Sequence, residues 1–204
     1  MTMGGAAESS PRRQRMLEAG AGLFMAHGYA AVSMDAVARA ADVSKATLYA
    51  HFASKDALFA TIVADACQRN SADDAAFPTD TADIGAALRE IGGRGLRFLL
   101  QPRTLAIYRV AVAEAARCPE LGEAFLRAGP LAFRDRLAAW MAQQSAAGRL
   151  ATPDPAVAAE HFMALIRAGL FLRASLAIAP APAEAEIDAT VAAAVQTFLR
   201  AFAA

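Results

Sequence analysis

Cysteine, histidine and lysine are scarce in this chain of 204 residues, with two, three and two copies respectively. Cys67 and Cys118 are too few and too far apart for a disulfide framework, so a reducing cytoplasm is the expected setting. His27, His51 and His161 are dispersed, and no Gly-rich phosphate loop follows a strand. No catalytic constellation, cofactor or metal site is therefore expected. Long uninterrupted apolar runs are also missing. The nearest, Phe162 to Ala179, carries Arg167 and Arg173 on different helical faces, so it reads as a packed helix and no membrane span is expected. Residues 1–10 lack the apolar run of a secretory signal and read as a disordered tail. Excess charge of one sign is absent too: 20 basic residues balance 20 acidic ones. That balance excludes a protein that coats nucleic acid by bulk charge, so any such binding needs a local patch. Finally, no period-2 run rich in β-branched residues occurs, and the fold class expected is all-α.

Hydrophobic residues make up 56% of the chain, enough for a well-buried core. Pro11 suits a first helical position after a Ser10 cap, and Leu17, Ala21 and Phe24 share the face of a helix that ends at His27-Gly28. Ser33 caps a second helix with Asp35 in its first turn, Asp42-Val43 breaks it, and Ser44 caps a third running to about Phe52. Ser54 caps a fourth, in which Leu58, Ile62 and Ala66 form a stripe. The polar stretch from Ser71 to Thr81 marks a connection. Beyond it, periodicity predicts helices over about Ala82–Gln101, Arg103–Arg117, Leu121–Ala147 and Asp154–Ile178, and one from Pro182 to about Phe202. Pro130 is a candidate break in the third of these. About nine helices result. They divide into a tail (1–10), a three-helix unit (11–54), a connecting helix and linker (55–81), and a larger helical domain (82–204).

Two short helices separated by a tight turn fit the geometry of a helix-turn-helix, whose second helix enters the major groove of duplex DNA. On a helical wheel Leu48 and Phe52 face inward, leaving Ala46 and Ala50 at the centre of the opposite face with Thr47 and Tyr49 beside them. Thr47 offers a contact to base edges, and an alanine methyl can touch a thymine methyl. Ser33 and Ser44 stand at helix N-termini, where free N–H groups favour anions. Lys45, Tyr49, His51 and Lys55 supply donors around the third helix, and both lysines of the chain lie there. Over residues 11–58, Arg12, Arg13, Arg15, Arg39, Lys45 and Lys55 face Glu18, Asp35, Asp42 and Asp56, so position rather than total charge carries the reading.

The run from Gly28 to Leu58, GYAAVSMDAVARAADVSKATLYAHFASKDAL, closely resembles the DNA-binding domain of TetR-family regulators. Matching positions include Gly28-Tyr29, Ser33, Val37-Ala38, Ala41, Val43-Ser44, Leu48-Tyr49, His51-Phe52, Lys55 and Leu58. The resemblance implies that Ser33, Tyr49, His51 and Lys55 hold phosphates while Lys45, Ala46 and Thr47 approach bases. Three positions depart from the pattern. Asp42 and Ala46 replace frequent glycines, and Ala50 is smaller than many residues at its place. Aspartate tolerates the left-handed turn better than most residues.

From about Phe98 to Ala177 the chain resembles the AefR-like subgroup of TetR C-terminal domains. This rests on Gln101-Pro102, Arg109 through Glu114-Ala115, Cys118-Pro119-Glu120-Leu121 and Gly129-Pro130. It implies a helical domain that senses a small-molecule effector and forms a homodimer through its last two long helices. Phe162, Leu165, Ile166, Gly169, Leu170, Leu172 and Leu176 form more apolar surface than one protomer's core usually absorbs, which agrees with a dimer. Phe98, Tyr108, Phe133, Trp140 and Phe162 are candidate pocket walls, with Arg109 or Arg167 as a polar contact; the competing reading is ordinary core aromatics and surface arginines. The function expected is a regulator that binds double-stranded operator DNA, a repressor released by a small apolar effector. The alternative is a helical dimerisation or membrane-surface protein with an inactive helix-turn-helix.

Overall fold

The side chains of Ser33, Ser44, Ser54, Asp83 and Asp154 cap five helix starts, each accepting from a backbone N–H two or three residues on. The computed structural model describes residues 11–72, 77–78, 83–178 and 180–204; the expected tail at 1–10 lies outside them. Eleven α-helices and one π-turn occur among the described residues, with no β-strand and a single isolated bridge between Leu150 and Ala203. The chain divides into two compact units, one of residues up to 65 with 110–128, the other of 66–109 with 129–204.

In the first unit, α1 (Pro11–His27) ends where Gly28 takes a φ of +78°. Then come α2 (Met34–Ala40), α3 (Lys45–His51), the start of α4 (Lys55–Ala72), the end of α6 (Pro102–Glu114) and α7 (Pro119–Leu126). Met16, Leu17 and Phe24 of α1 pack with Val37, Leu48, Phe52, Leu58 and Ile62 as buried core. Phe24, Tyr29 and Phe59 stack around one another at centroid distances of 5.2–5.9 Å. The sequence places its boundary before 82, yet residues 110–128 return to this unit. The cause is local packing: Leu121 is fully buried, and the Glu114 carboxylate lies beside Gly28.

The second unit contains α5 (Ile84–Leu100), the start of α6, α8 (Ala132–Ala146), α9 (Pro155–Arg167), α10 (Leu170–Ser175) and α11 (Glu184–Phe202). Leu88, Ile91, Leu137, Trp140, Met141, Phe162, Ile166, Val191, Val195 and Phe198 form one core. Gly92 lies at its tightest point: a Cβ there would come within 3.2–3.3 Å of Phe162, Val191 and Ile166. Across the surface, Arg97 of α5 bridges Glu184 and Asp188 of α11 at 2.8 and 2.7 Å.

Two expected helices are each broken. A π-turn spans Arg127–Leu131, where Pro130 lacks the N–H that an α-turn would use, so the predicted Leu121–Ala147 helix becomes α7 and α8. Gly169, at φ +73°, separates α9 from α10 and divides the predicted Asp154–Ile178 helix. No helix among the described residues is long and apolar enough to cross a membrane. Of the apolar stripe credited with dimer-forming surplus, Phe162, Ile166 and Leu170 are buried inside the protomer, at 0%, 2% and 7% exposure. Leu172 of α10 and Leu176 just after it remain exposed, as does Val157 of α9, whereas other outward positions of α9 and α11 carry small residues such as Ala164, Ala189, Ala192 and Ala193.

Candidate nucleic-acid interface

Each helix of the α2–turn–α3 unit starts at a serine cap. Ser33 Oγ accepts from the Ala36 N–H at 3.2 Å, and Ser44 Oγ accepts from the Thr47 N–H at 3.1 Å. Between them Asp42 adopts φ +54°, the left-handed conformation expected where it replaces glycine. Leu48 and Phe52 point inward, fully or almost fully buried. Lys45, Ala46, Tyr49, Ala50 and His51 are exposed on α3 and Thr47 is half-buried, so the wheel assignment of the outward face holds.

Polar groups on this face are already arranged. The Thr47 hydroxyl lies 2.8 Å from Ser44 Oγ, which fixes its rotamer beside the small methyls of Ala46 and Ala50. Lys45 Nζ is 2.9 Å from Asp35 Oδ1 and 3.1 Å from Oδ2, joining α3 to α2. The hydrogen bond to Asp35, then its charge, holds the Lys45 ammonium above the ordinary lysine range. Lys55 Nζ donates to the Tyr29 carbonyl at 2.9 Å and the Val32 carbonyl at 3.0 Å, and lies 4.2 Å from the Tyr29 ring centroid. Next to it the Tyr29 hydroxyl hydrogen-bonds the Asp56 carboxylate. Burial first, then this bond, pushes the phenol well above its usual range. A shallow cleft of about 470 Å³ opens here, lined by residues 30–34, Tyr49 and residues 53–55. Ser33, Tyr49 and Lys55, expected to hold phosphates, all border this one concavity. His51 and Ser44 are exposed outside its lining. Spacing alone did not reveal Asp35 as the partner of Lys45, or Tyr29 as a seat for Lys55. Those pairs meet across turns, where helical periodicity carries no signal.

The second unit separates the proposed pocket residues. Trp140 and Phe162 belong to the core; the Trp140 indole N–H donates to the Pro78 carbonyl at 2.7 Å, and Phe162 meets Phe198 edge to face at 5.2 Å. Phe133 is half-buried against the same core. Tyr108 packs edge-on to Phe171 at 4.9 Å, and Arg109 donates to the Ser175 and Ala174 carbonyls at 2.7 Å each, at the end of α10. Arg167 Nε turns back to the Met163 carbonyl at 3.2 Å, and Phe98 is half-buried on α5. Sequence reasoning missed Arg103, whose Nε and Nη2 are buried without a hydrogen-bond partner. Burial pushes the Cys67 thiol up to about 11 despite the nearby Arg136, which leaves it a poor thiolate. No cluster of three potential metal ligands occurs among the described residues.

A capped helix-turn-helix with an outward second helix, joined to a larger helical unit, defines a class of DNA-binding regulators. Residues 16–62 match the family model of bacterial regulatory proteins of the tetR family, and residues 86–204 match the AefR-like transcriptional repressor C-terminal domain. The chain belongs to the TetR family of transcriptional regulators. It is 35% identical to the flavonoid-responsive regulator FrrA, covering 94% of this chain and 97% of that one at a TM-score of 0.79. A TetR-family regulator from Mesorhizobium loti MAFF303099 is 25% identical, with 98% and 100% coverage and a TM-score of 0.83. The HTH-type transcriptional regulator UidR of Escherichia coli (strain K12) is 39% identical over 56 residues, which is 28% of this chain and 29% of UidR.

Proposed function

We propose that this regulator is a homodimeric cytoplasmic repressor that leaves its operator when a small, mainly apolar effector binds residues 82–204. The observation that carries the DNA-binding part is the cleft beside α3, where Ser33, Tyr49 and Lys55 converge next to a nearly uncharged helix face. Ser33, Ser44, Tyr49, His51 and Lys55 are assigned to phosphates, and Lys45, Ala46 and Thr47 to bases. The recognition surface is small, so methyl contact, close backbone approach and DNA shape supply much of the readout. A twofold dimer would set two such helices about one DNA turn, ~34–36 Å, or a multiple apart.

Match to an AefR-like repressor domain supports repression, and the flavonoid response of FrrA makes planar aromatic molecules the first effectors to test. Half-buried Phe98, Phe133 and Tyr108 are the aromatic contacts favoured for such a ligand, with Arg103 as a polar anchor. Arg109 and Arg167 are the other guanidinium contacts proposed. The effector acts by population shift, favouring one spacing of the recognition helices through α4. The test is selection of bound duplexes from a random library, followed by titration across salt and with a flavonoid panel. A selected duplex should bind far better than a scrambled one, with affinity falling steeply as salt rises. Equal binding to both duplexes and indifference to salt would instead favour the dimerisation or membrane-surface reading.

A further inference from the structure

Lys45 is the one lysine or arginine on α3, and its ammonium is already committed. Both oxygens of Asp35 take it, at 2.9 and 3.1 Å, while its side chain remains 61% exposed and that of Asp35 49% exposed. The Tyr49 ring lies on its other side, 5.9 Å from Nζ. The remaining outward groups of α3 are the methyls of Ala46 and Ala50, the half-buried Thr47 bound to Ser44, and the ring of His51. An ammonium has three donors, and two directed to Asp35 leave one for the groove.

We propose that Asp35 is a specificity-determining residue, which pins Lys45 as a one-donor reader of a base-edge acceptor and withholds it from bare phosphate. This rests on the DNA-binding reading above. At a guanine, O6 or N7 accepts the third N–H while both bonds to Asp35 persist. To reach a phosphate, Lys45 must swing away from Asp35, and the carboxylate is then stranded beside the DNA's negative charge. A scrambled duplex, which seldom sets a guanine opposite Lys45, therefore gains little from it. Asp35 is a positioning residue acting through Lys45.

The test compares Asp35→Asn with the wild type on two probes: a duplex enriched by the wild type from a random library, and a scrambled duplex of equal composition. Releasing each Lys45 of the dimer to one more phosphate should steepen the log–log salt slope on the scrambled duplex by about 1.8 and tighten its binding about ten- to hundredfold at roughly 50 mM salt. Affinity for the enriched duplex should change less than about twofold, so the specificity ratio falls. Asp35→Glu should keep the wild-type slope. In a Lys45→Met background, Asp35→Asn should change neither probe. Equal tightening on both duplexes, or the same tightening without Lys45, would overturn the proposal, because Asp35 would then act only by repelling DNA. A wild type that shows neither preference nor salt dependence overturns the DNA-binding reading itself, and this inference with it.

Discussion

Replacing Lys55 by methionine separates two roles that one ammonium combines. The side chain donates to two carbonyls in the segment leading into α2 and sits over the Tyr29 ring at 4.2 Å. Charge-assisted hydrogen bonds contribute about 1.5–3 kcal/mol each when desolvated, and a half-exposed pair counts for a fraction of that. The cation–ring contact adds about 0.5–1 kcal/mol. Methionine keeps the apolar stem, so the net loss is about 2 kcal/mol of local stability, or about 30-fold in the opening equilibrium. Hydrogen exchange followed by mass spectrometry on the full chain reads this directly. Peptides spanning residues 29–37 should exchange about 30-fold faster, while peptides from α9 and α11 stay unchanged. Binding to every duplex should weaken alike, because the lost ammonium serves phosphate and the loosened segment carries Ser33. Unchanged exchange at 29–37, with DNA binding still lost, would refute the structural role and leave Lys55 a phosphate contact only.

Gly92→Val should overpack the junction of α5, α9 and α11, at a cost of about 1–3 kcal/mol. Thermal denaturation should show a Tm lower by about 3–10 °C, and an unchanged Tm would contradict the close approach. Glu186 is held below the usual glutamate range first by the Ala183 N–H and then by Arg173. A depressed folded-state value stabilises above the unfolded pKa and is lost as pH falls through the folded one. The Tm deficit of Glu186→Gln relative to wild type should therefore be present at about pH 7 and shrink as the pH falls below the ordinary glutamate range of about 4.3 and through the depressed folded-state value. Thr47→Ala should alter which duplexes are preferred, and Tyr49→Phe should weaken all of them alike, as read by selection from a random library. Uniform loss from Thr47→Ala would reassign its hydroxyl to phosphate positioning.

Legibility followed the range of the interaction. Caps at Ser33, Ser44 and Ser54, the stop at Gly28 and the inward Leu48 are local, set within one helical turn, and the structure places them as the residues suggest. Boundaries were harder in the long apolar stretches. A single Gly169 ends α9 although the apolar pattern continues past it, because periodicity does not register a positive φ. In the sequence Phe162 is compatible with a core, a pocket wall or a dimer face. Only its packing against Phe198, and the lack of room at Gly92, put it in the core.

By itself, then, the order of residues determined that the chain is helical, where the helix-turn-helix lies, and which face of α3 turns outward. These depend on backbone capping and a repeat of about 3.6 residues, both written in neighbouring positions. Tertiary structure decided which charges are free to act. Lys45 and Lys55 read alike in the sequence as two cations flanking a recognition helix, yet one is tied to a carboxylate ten positions away and the other to carbonyls 23 and 26 positions away. Electrostatic partners are chosen by distance in space. For these two lysines that distance exists only once α2, α3 and α4 have packed on α1.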